Sequence, residues 1–278
     1  TWTDHINDFN YSIGGNITYS RFWDWEQYKP RFSNSWDEYR NSIWHRVGYV
    51  NWGYEAIGRF QNWEQIANYP IDNDRKGNRT VVPGDIMYKD QNNDGVINYL
   101  DERPIGYRVD STPTLNFGIN LSASWKGFDL AMDWTGSGMT SWNQCYETAR
   151  PFQNDGNSPD EVLKDAWHLS DIWDANSPLI PGKYPMIRLN TDETSAYDKS
   201  SYWLHNVTYL KLRNLEVGYT FPKTWLNKTG ISNLRLFVSG TNLLTLSNLS
   251  VMDPECASDN GLDYPPMRVI NIGVNLKF

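Results

Sequence analysis

The fold is decided by a stretch of alternating residues in the middle of the chain, Leu115-Asn-Phe-Gly-Ile-Asn-Leu-Ser-Ala-Ser-Trp-Lys-Gly-Phe-Asp-Leu-Ala-Met-Asp-Trp134. Large apolar side chains alternate with Asn, Ser, Gly and Asp on both sides of Lys126-Gly127. A period of two is typical of a β-strand with one apolar and one polar face. A two-residue connection that contains glycine is typical of a tight hairpin turn. The stretch therefore predicts two long amphipathic strands that form a hairpin.

Four other segments repeat this alternation, and with the hairpin they predict six strands. The predicted strands cover residues 9–20, 115–125, 128–136, 207–221, 234–245 and 266–278. They exceed the roughly 5–6 residues of an average globular strand and suit the roughly 9–11 tilted residues that cross a bilayer. A phase slip at Arg213-Asn214 predicts a β-bulge in the fourth strand.

The polar face of these strands is rich in Asn, Ser, Gly and Thr and poor in Lys and Glu. Such a face suits a crowded, watery lumen better than open solvent. We therefore predict an all-β fold, a transmembrane antiparallel β-barrel segment of about six strands with long extracellular loops. A soluble β-sandwich also alternates, so it is the alternative fold.

Composition excludes several classes of protein. The 278 residues include 14 Trp, 17 Tyr and 10 Phe, yet only 39% are hydrophobic and the mean hydropathy is −0.64. No run approaches the roughly 18 apolar residues of a membrane-spanning helix. The net charge of −8 argues against nucleic-acid binding. Cys145 and Cys256 form one disulfide bridge or stay as two free thiols.

The connections between predicted strands alternate between long and short. Residues 21–114, 137–206 and 246–265 are long connections, whereas residues 126–127 and 222–233 are short ones. Outer-membrane barrels have long extracellular loops and short periplasmic turns, so we expect the three long regions outside the cell. Six strands do not close a barrel in a membrane, because each open edge would leave unpaired backbone groups in hydrocarbon. We therefore interpret residues 1–278 as part of a larger barrel.

Several motifs resemble one family over nearly the whole chain. The motifs are Tyr209–Pro222, Gly230–Leu244 and Asp253-Pro254-Glu255, together with Pro83–Ile86 leading to Asp90–Gly95, Asn120–Leu130, and the ending Pro265–Phe278. Taken in chain order, they resemble the C-terminal portion of SusC/RagA-type TonB-linked (TonB-dependent) outer-membrane transporters.

The resemblance implies a function that the strand pattern alone does not. Such transporters have a barrel of about 22 strands with an N-terminal plug, take energy from the TonB complex, and import glycans or oligopeptides under a SusD-like lipoprotein lid. The resemblance thus implies an outer-membrane protein whose partners are the remaining N-terminal barrel and plug, the lid, the TonB complex, cargo and membrane lipid. The plug and the TonB-contacting motif are expected outside this sequence. The cargo, the oligomeric state and the reason why the chain starts at Thr1 stay open.

The segment 90–101 has the ligand spacing of a calcium loop. The ligand positions fall on Asp90, Asn92, Asp94, the Val96 carbonyl, Asn98 and Asp101, with Gly95 at the sharp turn and Ile97 facing inward. This pattern predicts a structural ion site, with Ca²⁺ favoured over Mg²⁺. A cluster of polar turns without an ion is the alternative. Asp101 in place of the usual glutamate, and Pro83 and Pro104 beside the loop, depart from the calcium pattern.

The first long connection is unusually rich in tryptophan. Its members are Trp23, Trp25, Trp36, Trp44, Trp52 and Trp63. Indole rings stack on sugars and anchor protein interfaces, so these residues are candidates for ligand or lid contact. The alternatives are packing inside the connection and an interfacial aromatic girdle. The girdle interpretation is favoured for five residues near predicted strand ends, Tyr19, Trp125, Trp134, Tyr219 and Phe278.

The sequence offers little support for catalysis. Its four histidines lack metal-binding spacing, and no nucleophile elbow or phosphate loop occurs. Ser158-Pro-Asp-Glu161 predicts a short helix with Ser158 as its N-cap and Val162, Leu163, Ala166 and Trp167 on one face. We therefore predict a transporter portion and not an enzyme. A glycan-binding or adhesion β-protein without transport activity is the alternative function, and a barrel-anchored hydrolase is the third.

Overall fold

The computed structural model describes residues 1–108, 113–189, 194–227, 230–256 and 260–278. In chain order its strands are β1 (Trp2–Ile6), β2 (Phe9–Tyr19), β3 (Trp23–Asp24), β4 (Arg46–Val47), β5 (Trp52–Gly53), β6 (Ala56–Arg59), β7 (Ile86–Tyr88), β8 (Arg103–Pro104), β9 (Leu115–Trp125), β10 (Phe128–Asn143), β11 (His168–Leu169), β12 (Leu179–Ile180), β13 (Leu204–Thr220), β14 (Asn233–Ser247) and β15 (Val269–Lys277). The α-helices are α1 (Ser35–Asn41), α2 (Trp63–Ala67), α3 (Asp160–Lys164) and α4 (Lys223–Leu226). Short 3₁₀ helices span Tyr99–Asp101, Tyr146–Thr148, Gln153–Asp155 and Ser195–Tyr197.

One antiparallel sheet organises the chain, in the order β1-β2-β9-β10-β13-β14-β15. The all-β prediction and its six strands are confirmed. The sequence missed β1, because Asp4 lies among the apolar side chains of that strand and breaks the alternation. It also ended β10 too early, because small residues after Thr135 hide an extension whose pairing shifts between Ser137 and Thr140.

The strand register aligns the apolar residues into rows across the sheet. Residues that face each other in adjacent antiparallel strands lie on the same face. One row passes through Tyr11, Ala123, Leu130, Val217, Val238 and Ile272. The adjacent row on the other face passes through Ser12, Ser122, Ala131, Glu216, Ser239 and Asn271. The sheet is therefore two-faced over most of its width.

The predicted bulge is present in β13. Its partner strands skip Arg213, because Leu212 pairs with Trp134 while Asn214 pairs with Asp133. The extra residue lets neighbours in sequence, Arg213 and Asn214, both reach the polar face, where they bond Thr135 and Asp133 respectively.

The two longest connections fold into one lobe at the same end of the sheet. A shared core contains Tyr54, Ile86, Tyr88 and Ile97 from the first connection, and Val162, Tyr184, Tyr197 and Trp203 from the second. Backbone hydrogen bonds join them where Tyr54 accepts from Ser201 N–H and donates to Lys199. The predicted regions 21–114 and 137–206 therefore share one core. The second region also begins inside β10 and ends inside β13, because both strands extend beyond their predicted limits.

The Pro83–Ile86 motif has a structural role in this lobe. Gly84 has φ +91°, and a Cβ there would lie 2.5 Å from Trp167 Cγ, so only glycine fits. The next residue, Asp85, is fully buried, accepts from the N–H of Val82 at 3.0 Å and forms an ion pair with Arg188. Burial raises the pKa of Asp85, and Arg188 opposes this rise.

Two smaller predictions have mixed outcomes. The helix α3 is present, but its N-cap is Pro159 and no side chain caps it, because Ser158 donates to the Pro159 carbonyl instead. Val162 is buried as expected, whereas Leu163 is 49% exposed and leaves the predicted apolar face. Cys145 and Cys256 are free thiols.

Candidate functional site

The apolar face of the sheet is the first functional surface, because it has no covering layer among the described residues. Ile270, Ile272 and Val274 are 66%, 83% and 54% exposed. Exposed apolar patches beyond a few hundred Å² mark membrane or protein contacts. A face that presents such side chains along most strands needs an apolar surrounding medium.

Aromatic side chains end this face at the short turns. Trp125 pairs with Phe9 and Phe128, and Phe128 packs on Tyr219 with ring centroids 4.6 Å apart. This arrangement fits the predicted aromatic girdle. Trp134 lies well inside β10, between Ile119 and Leu212, so its predicted place near a strand end is wrong.

The other two girdle candidates, Tyr19 and Phe278, lie at strand ends. Tyr19 is the last residue of β2, at the end of the sheet that carries the lobe, and Phe278 follows β15 with 84% exposure. The predicted girdle thus has members at both ends of the strands.

The polar face carries charged networks. Arg235 donates to Asp129 at 2.5 and 3.1 Å and to Glu216 at 2.6 Å. Near the middle of the sheet, Asp133 accepts from Asn120 at 2.7 Å and from Asn214 at 3.3 Å. These contacts join neighbouring strands through side chains on the side opposite the apolar rows.

A second network fixes the connection after β14 onto this polar face. Lys211 is buried and its Nζ lies 2.6 and 2.7 Å from the Asp253 carboxylate and 2.9 Å from Glu255. Arg213 also pairs with Glu255. Buried charges are stable only when they are paired and hydrogen-bonded, so these contacts hold Asp253-Pro254-Glu255 against the sheet. The sequence located these residues inside motifs, but nothing in the pattern predicted that they contact each other.

The candidate calcium loop is tied together by its own hydrogen bonds. Asp90 accepts from the N–H groups of Asn93 at 2.6 Å and Gly95 at 2.8 Å. Asp94 accepts from Val96 N–H at 2.9 Å and from the Asn92 amide at 2.8 Å, and these bonds lower the pKa of Asp94.

The end of this loop is equally constrained. Asp101 is fully buried and accepts from Gln91 N–H and Asn98 N–H, both at 2.8 Å. Asn98 accepts from Leu100 N–H, so Asn98 and Asp101 together cap the 3₁₀ helix Tyr99–Asp101. Ile97 is buried in the lobe core, as predicted from its position in the loop.

The side chains of this loop can be compared with the oxygen ligands that a cation requires. In the part of the chain that the structure describes, no three His, Cys, Asp or Glu side chains converge as a metal-holding group. A bound ion would therefore rely on amide and carbonyl oxygens of Asn92, Val96 and Asn98 together with the carboxylates. The calcium site stays a prediction.

The six candidate tryptophans divide into packed and exposed members. Trp52 is buried, and Trp36 packs edge-on against it with centroids 6.2 Å apart. Arg40 lies 4.5 Å above the Trp52 ring, and Arg103 lies 5.1 Å from the Trp36 ring. These two tryptophans fit the packing interpretation.

The other four tryptophans are accessible. Trp23, Trp25, Trp44 and Trp63 are 49%, 71%, 57% and 55% exposed. Trp25 stacks on His45 at 4.7 Å, and Trp44 lies 5.9 Å from the same ring. Their exposure leaves them able to contact a ligand or a lid, which stays a prediction.

A sheet that is apolar on one face and polar on the other, with long strands and an exposed apolar surface, defines a membrane protein that spans with strands. None of the helices in the described ranges is long and apolar enough to cross a membrane.

Comparison with known proteins agrees with this class. The chain is 30% identical over 243 residues to TonB-dependent receptor P3 of Formosa agariphila, covering 81% of this chain and 22% of that protein. It is 24% identical over 252 residues to TonB-dependent receptor SusC of Bacteroides thetaiotaomicron, covering 84% of this chain and 20% of SusC. No protein-family profile matches the chain.

Solved structures show the same fold. The RagAB peptide transporter superposes with a TM-score of 0.62 at 22% identity, covering 99% of this chain and 28% of that one. The RagAB peptide importer in its closed-closed state gives a TM-score of 0.64 at 21% identity, covering 99% and 28%.

The chain belongs to the TonB-dependent receptors, and the predicted resemblance to the SusC/RagA type is confirmed. The predicted localisation in the outer membrane is confirmed with it. The chain spans about a fifth of the length of the curated relatives that it matches.

Proposed function

We propose that this chain forms part of a transporter that imports glycans or oligopeptides across the outer membrane with energy from the TonB complex. The observation that carries the proposal is the register of the sheet, which places apolar residues on one exposed face and charged networks on the other. The relatives are named TonB-dependent receptors, and the matching structures are named peptide transporters or importers.

The polar face would line the transport pathway. Arg235, Asp129 and Glu216 are held there by mutual hydrogen bonds, so this face offers fixed charges to passing polar cargo. In the proposed orientation the lobe, together with residues 246–265, faces the cell exterior and the short turns face the periplasm. Transport in this proposal makes and breaks no covalent bond in the cargo.

We propose a SusD-like surface lipoprotein as the lid that closes over the lobe. The exposed tryptophans support this assignment, because aromatic side chains are enriched at the centres of protein interfaces. Trp25 and Trp44, which flank His45, form the candidate contact. The remaining barrel and plug would come from the rest of the transporter, and the TonB complex would act through that part.

We also propose that residues 90–101 bind Ca²⁺ weakly and structurally. An ion would share the carboxylate oxygens with backbone N–H groups and displace amide contacts such as Asn92 to Asp94. That competition favours a Kd on the order of 10⁻⁴–10⁻³ M, the range of extracellular calcium modules.

Uptake by whole cells tests the function. Cells that carry the complete transporter are given fluorescent oligosaccharides and fluorescent oligopeptides, and cells without the transporter or without TonB serve as controls. We expect that one cargo class accumulates in the periplasm and that either deletion abolishes the accumulation.

Other outcomes would support the alternative functions. Surface binding that persists without TonB, with no periplasmic accumulation in any strain, would contradict import and support a glycan-binding or adhesion protein. Cargo fragments that appear in the medium only when the transporter gene is present would support a hydrolase. Turnover measured on purified protein would then separate hydrolysis from contamination.

A further inference from the structure

A cavity of about 540 Å³ lies where the sheet meets the lobe. Its described lining comes from residues 19–22 at and just after the end of β2, from the segment 47–51, from residues 104 and 106–108, from Thr114, and from Met139 in β10. These segments meet beside the end of β10 that lies nearest the lobe. There β10 extends past Leu115, the first residue of β9. Nothing in the import function described above uses this cavity.

Hydrogen bonds to β10 and to the lobe hold the walls of the cavity. Tyr107 and Arg108 precede β9 in the chain and contact β10. The Arg108 carbonyl accepts from Ser141 N–H at 2.9 Å, and Tyr107 N–H donates to Ser141 Oγ at 2.8 Å. On the other side, Ile105 N–H donates to the Asn51 carbonyl at 2.8 Å. The cavity therefore has a constrained backbone frame.

The charge of the lining favours an anion. Arg21 and Arg108 both line the cavity, whereas no Asp or Glu occurs among its described lining residues. The Arg108 guanidinium carbon lies 3.9 Å from the centre of the Tyr49 ring, which fixes the position of the charge. The net charge of the chain is −8, so the two arginines give this cavity a charge opposite in sign to that of the whole chain.

The position of the cavity relative to the apolar rows indicates which anion would reach it. Tyr19 lines the cavity, faces Leu115 across the strand pair, and belongs to the apolar side of β2. It is 59% exposed at the end of the strand, where interfacial aromatics meet lipid headgroups. Phe22, also in the lining, is 57% exposed. The cavity thus borders the apolar face at headgroup level.

We propose that this cavity binds the phosphate-bearing headgroup of an anionic lipid of the outer membrane. Arg21 and Arg108 donate hydrogen bonds to the phosphate oxygens, because guanidinium groups match phosphate geometry. Tyr19 and Phe22 contact the apolar part of the lipid next to its headgroup. The proposal rests on the outer-membrane localisation and not on import, so a transporter without TonB would still bind the lipid.

Native mass spectrometry of the complete transporter in detergent tests the proposal. The protein is titrated separately with phosphatidylglycerol, phosphatidylcholine and inorganic phosphate. We expect saturable phosphatidylglycerol adducts, weaker phosphatidylcholine adducts and no phosphate adduct. Arg21→Gln should weaken phosphatidylglycerol binding about fivefold, and the double variant with Arg108→Gln about 25-fold, since each arginine near an anionic lipid surface contributes about 1 kcal/mol.

Arg31→Gln is the matched control, because Arg31 is exposed in the same connection and does not line the cavity. Arg108 also packs on Tyr49, so the exposed Arg21 provides the variant that leaves the fold intact. Equal loss in Arg31→Gln and Arg21→Gln, or no loss in the double variant, would overturn the proposal. Binding of inorganic phosphate with no preference for phosphatidylglycerol would also overturn it and assign a site for soluble anions.

Discussion

The sheet and the lobe solve the burial of apolar side chains in opposite ways. In the lobe, Trp203 and Ile86 are at most 2% exposed and pack inside a shared core. In the sheet, Ile272 and Ile270 are more than half exposed, although both lie in β15, which pairs with β14 along its length. The lobe can fold in water by the hydrophobic effect, whereas the apolar face of the sheet requires lipid.

The two regions also treat charge differently. The lobe buries single carboxylates whose partners lie within the lobe, as Arg188 and Val82 N–H do for Asp85. The sheet links charges across strands, as Arg235 does for Asp129 and Glu216. We infer that substitutions in the lobe act on local stability, while substitutions in the sheet act according to the face on which they lie.

The largest expected effect is at the buried Trp52 of the lobe. Replacing Trp52 by alanine removes a buried ring that packs against Trp36, Tyr39 and Arg40, so we expect a loss of roughly 3–5 kcal/mol in unfolding free energy. Chemical unfolding followed by tryptophan fluorescence measures the loss. Trp63→Ala is the control, because Trp63 is 55% exposed and should cost about 0.5 kcal/mol or less. Equal costs for the two variants would contradict the distinction between packed and exposed tryptophans.

The next effect distinguishes the two faces of the sheet. Leu121→Arg places a charge on the apolar face near the middle of β9 and should cost about 2–4 kcal/mol in folding into lipid vesicles. Ser122→Arg places the same charge on the polar face and should cost little. Urea titration of the protein in vesicles measures both variants. A larger cost at Ser122 would reverse the assignment of the faces.

A third prediction concerns the acid response of the lobe. Burial alone would raise the pKa of Asp74, but the N–H groups of Thr80, Lys76 and Asn78 and the Thr80 hydroxyl bring it to about 2. Since the ordinary value is 3.8, the charged form stabilises the lobe above about pH 4, and this stability is lost as the pH falls toward 2.

Asp74→Asn should therefore cost about 2 kcal/mol at pH 7 and flatten the loss of stability between pH 4 and pH 2. Unfolding of the lobe followed at several pH values measures this. Asp171→Asn is the control, because the Asp171 side chain accepts from Trp173 N–H in an exposed turn. An unchanged pH profile in Asp74→Asn would contradict the assignment.

The smallest expected effect is that of calcium on the lobe. Titration calorimetry should give a Kd on the order of 10⁻⁴–10⁻³ M for Ca²⁺ and weaker binding of Mg²⁺. Asp94→Asn should abolish the signal, whereas Asp171→Asn should leave it unchanged. Absence of heat with the unsubstituted protein would support the polar-turn alternative for residues 90–101.

The sheet was largely predictable from the sequence because its signal is local. Alternation predicts the bounds of β9 and the face on which each of its residues lies. The break in alternation at Arg213-Asn214 predicts the bulge. The prediction failed where composition breaks alternation, at Asp4 in β1 and after Thr135 in β10. The local sequence does not predict a strand at these places. The segments form strands because they pair with neighbouring strands that lie elsewhere in the sequence.

The lobe was not predictable from the sequence because its contacts are non-local. Asp85 and Arg188 are far apart in the chain, and no period connects them. The same limit applies on the polar face of the sheet, where Lys211 contacts Asp253 from a distant part of the sequence. The tryptophans illustrate the same limit, since Trp52 and Trp63 have similar neighbourhoods in sequence but opposite exposure. Composition indicated an aromatic connection, and only the fold distinguishes its core from its surface.

The central claim is that the apolar rows of the sheet face lipid. Spin labels placed one at a time at residues 117–124 of β9, in the complete transporter in lipid vesicles, test it by their collision rates with oxygen and with a water-soluble nickel complex. The account predicts alternation with a period of two, with high oxygen access at 119, 121 and 123 and high nickel access at 118, 120 and 122. Uniform nickel access, or oxygen access greatest at the even positions, would contradict it.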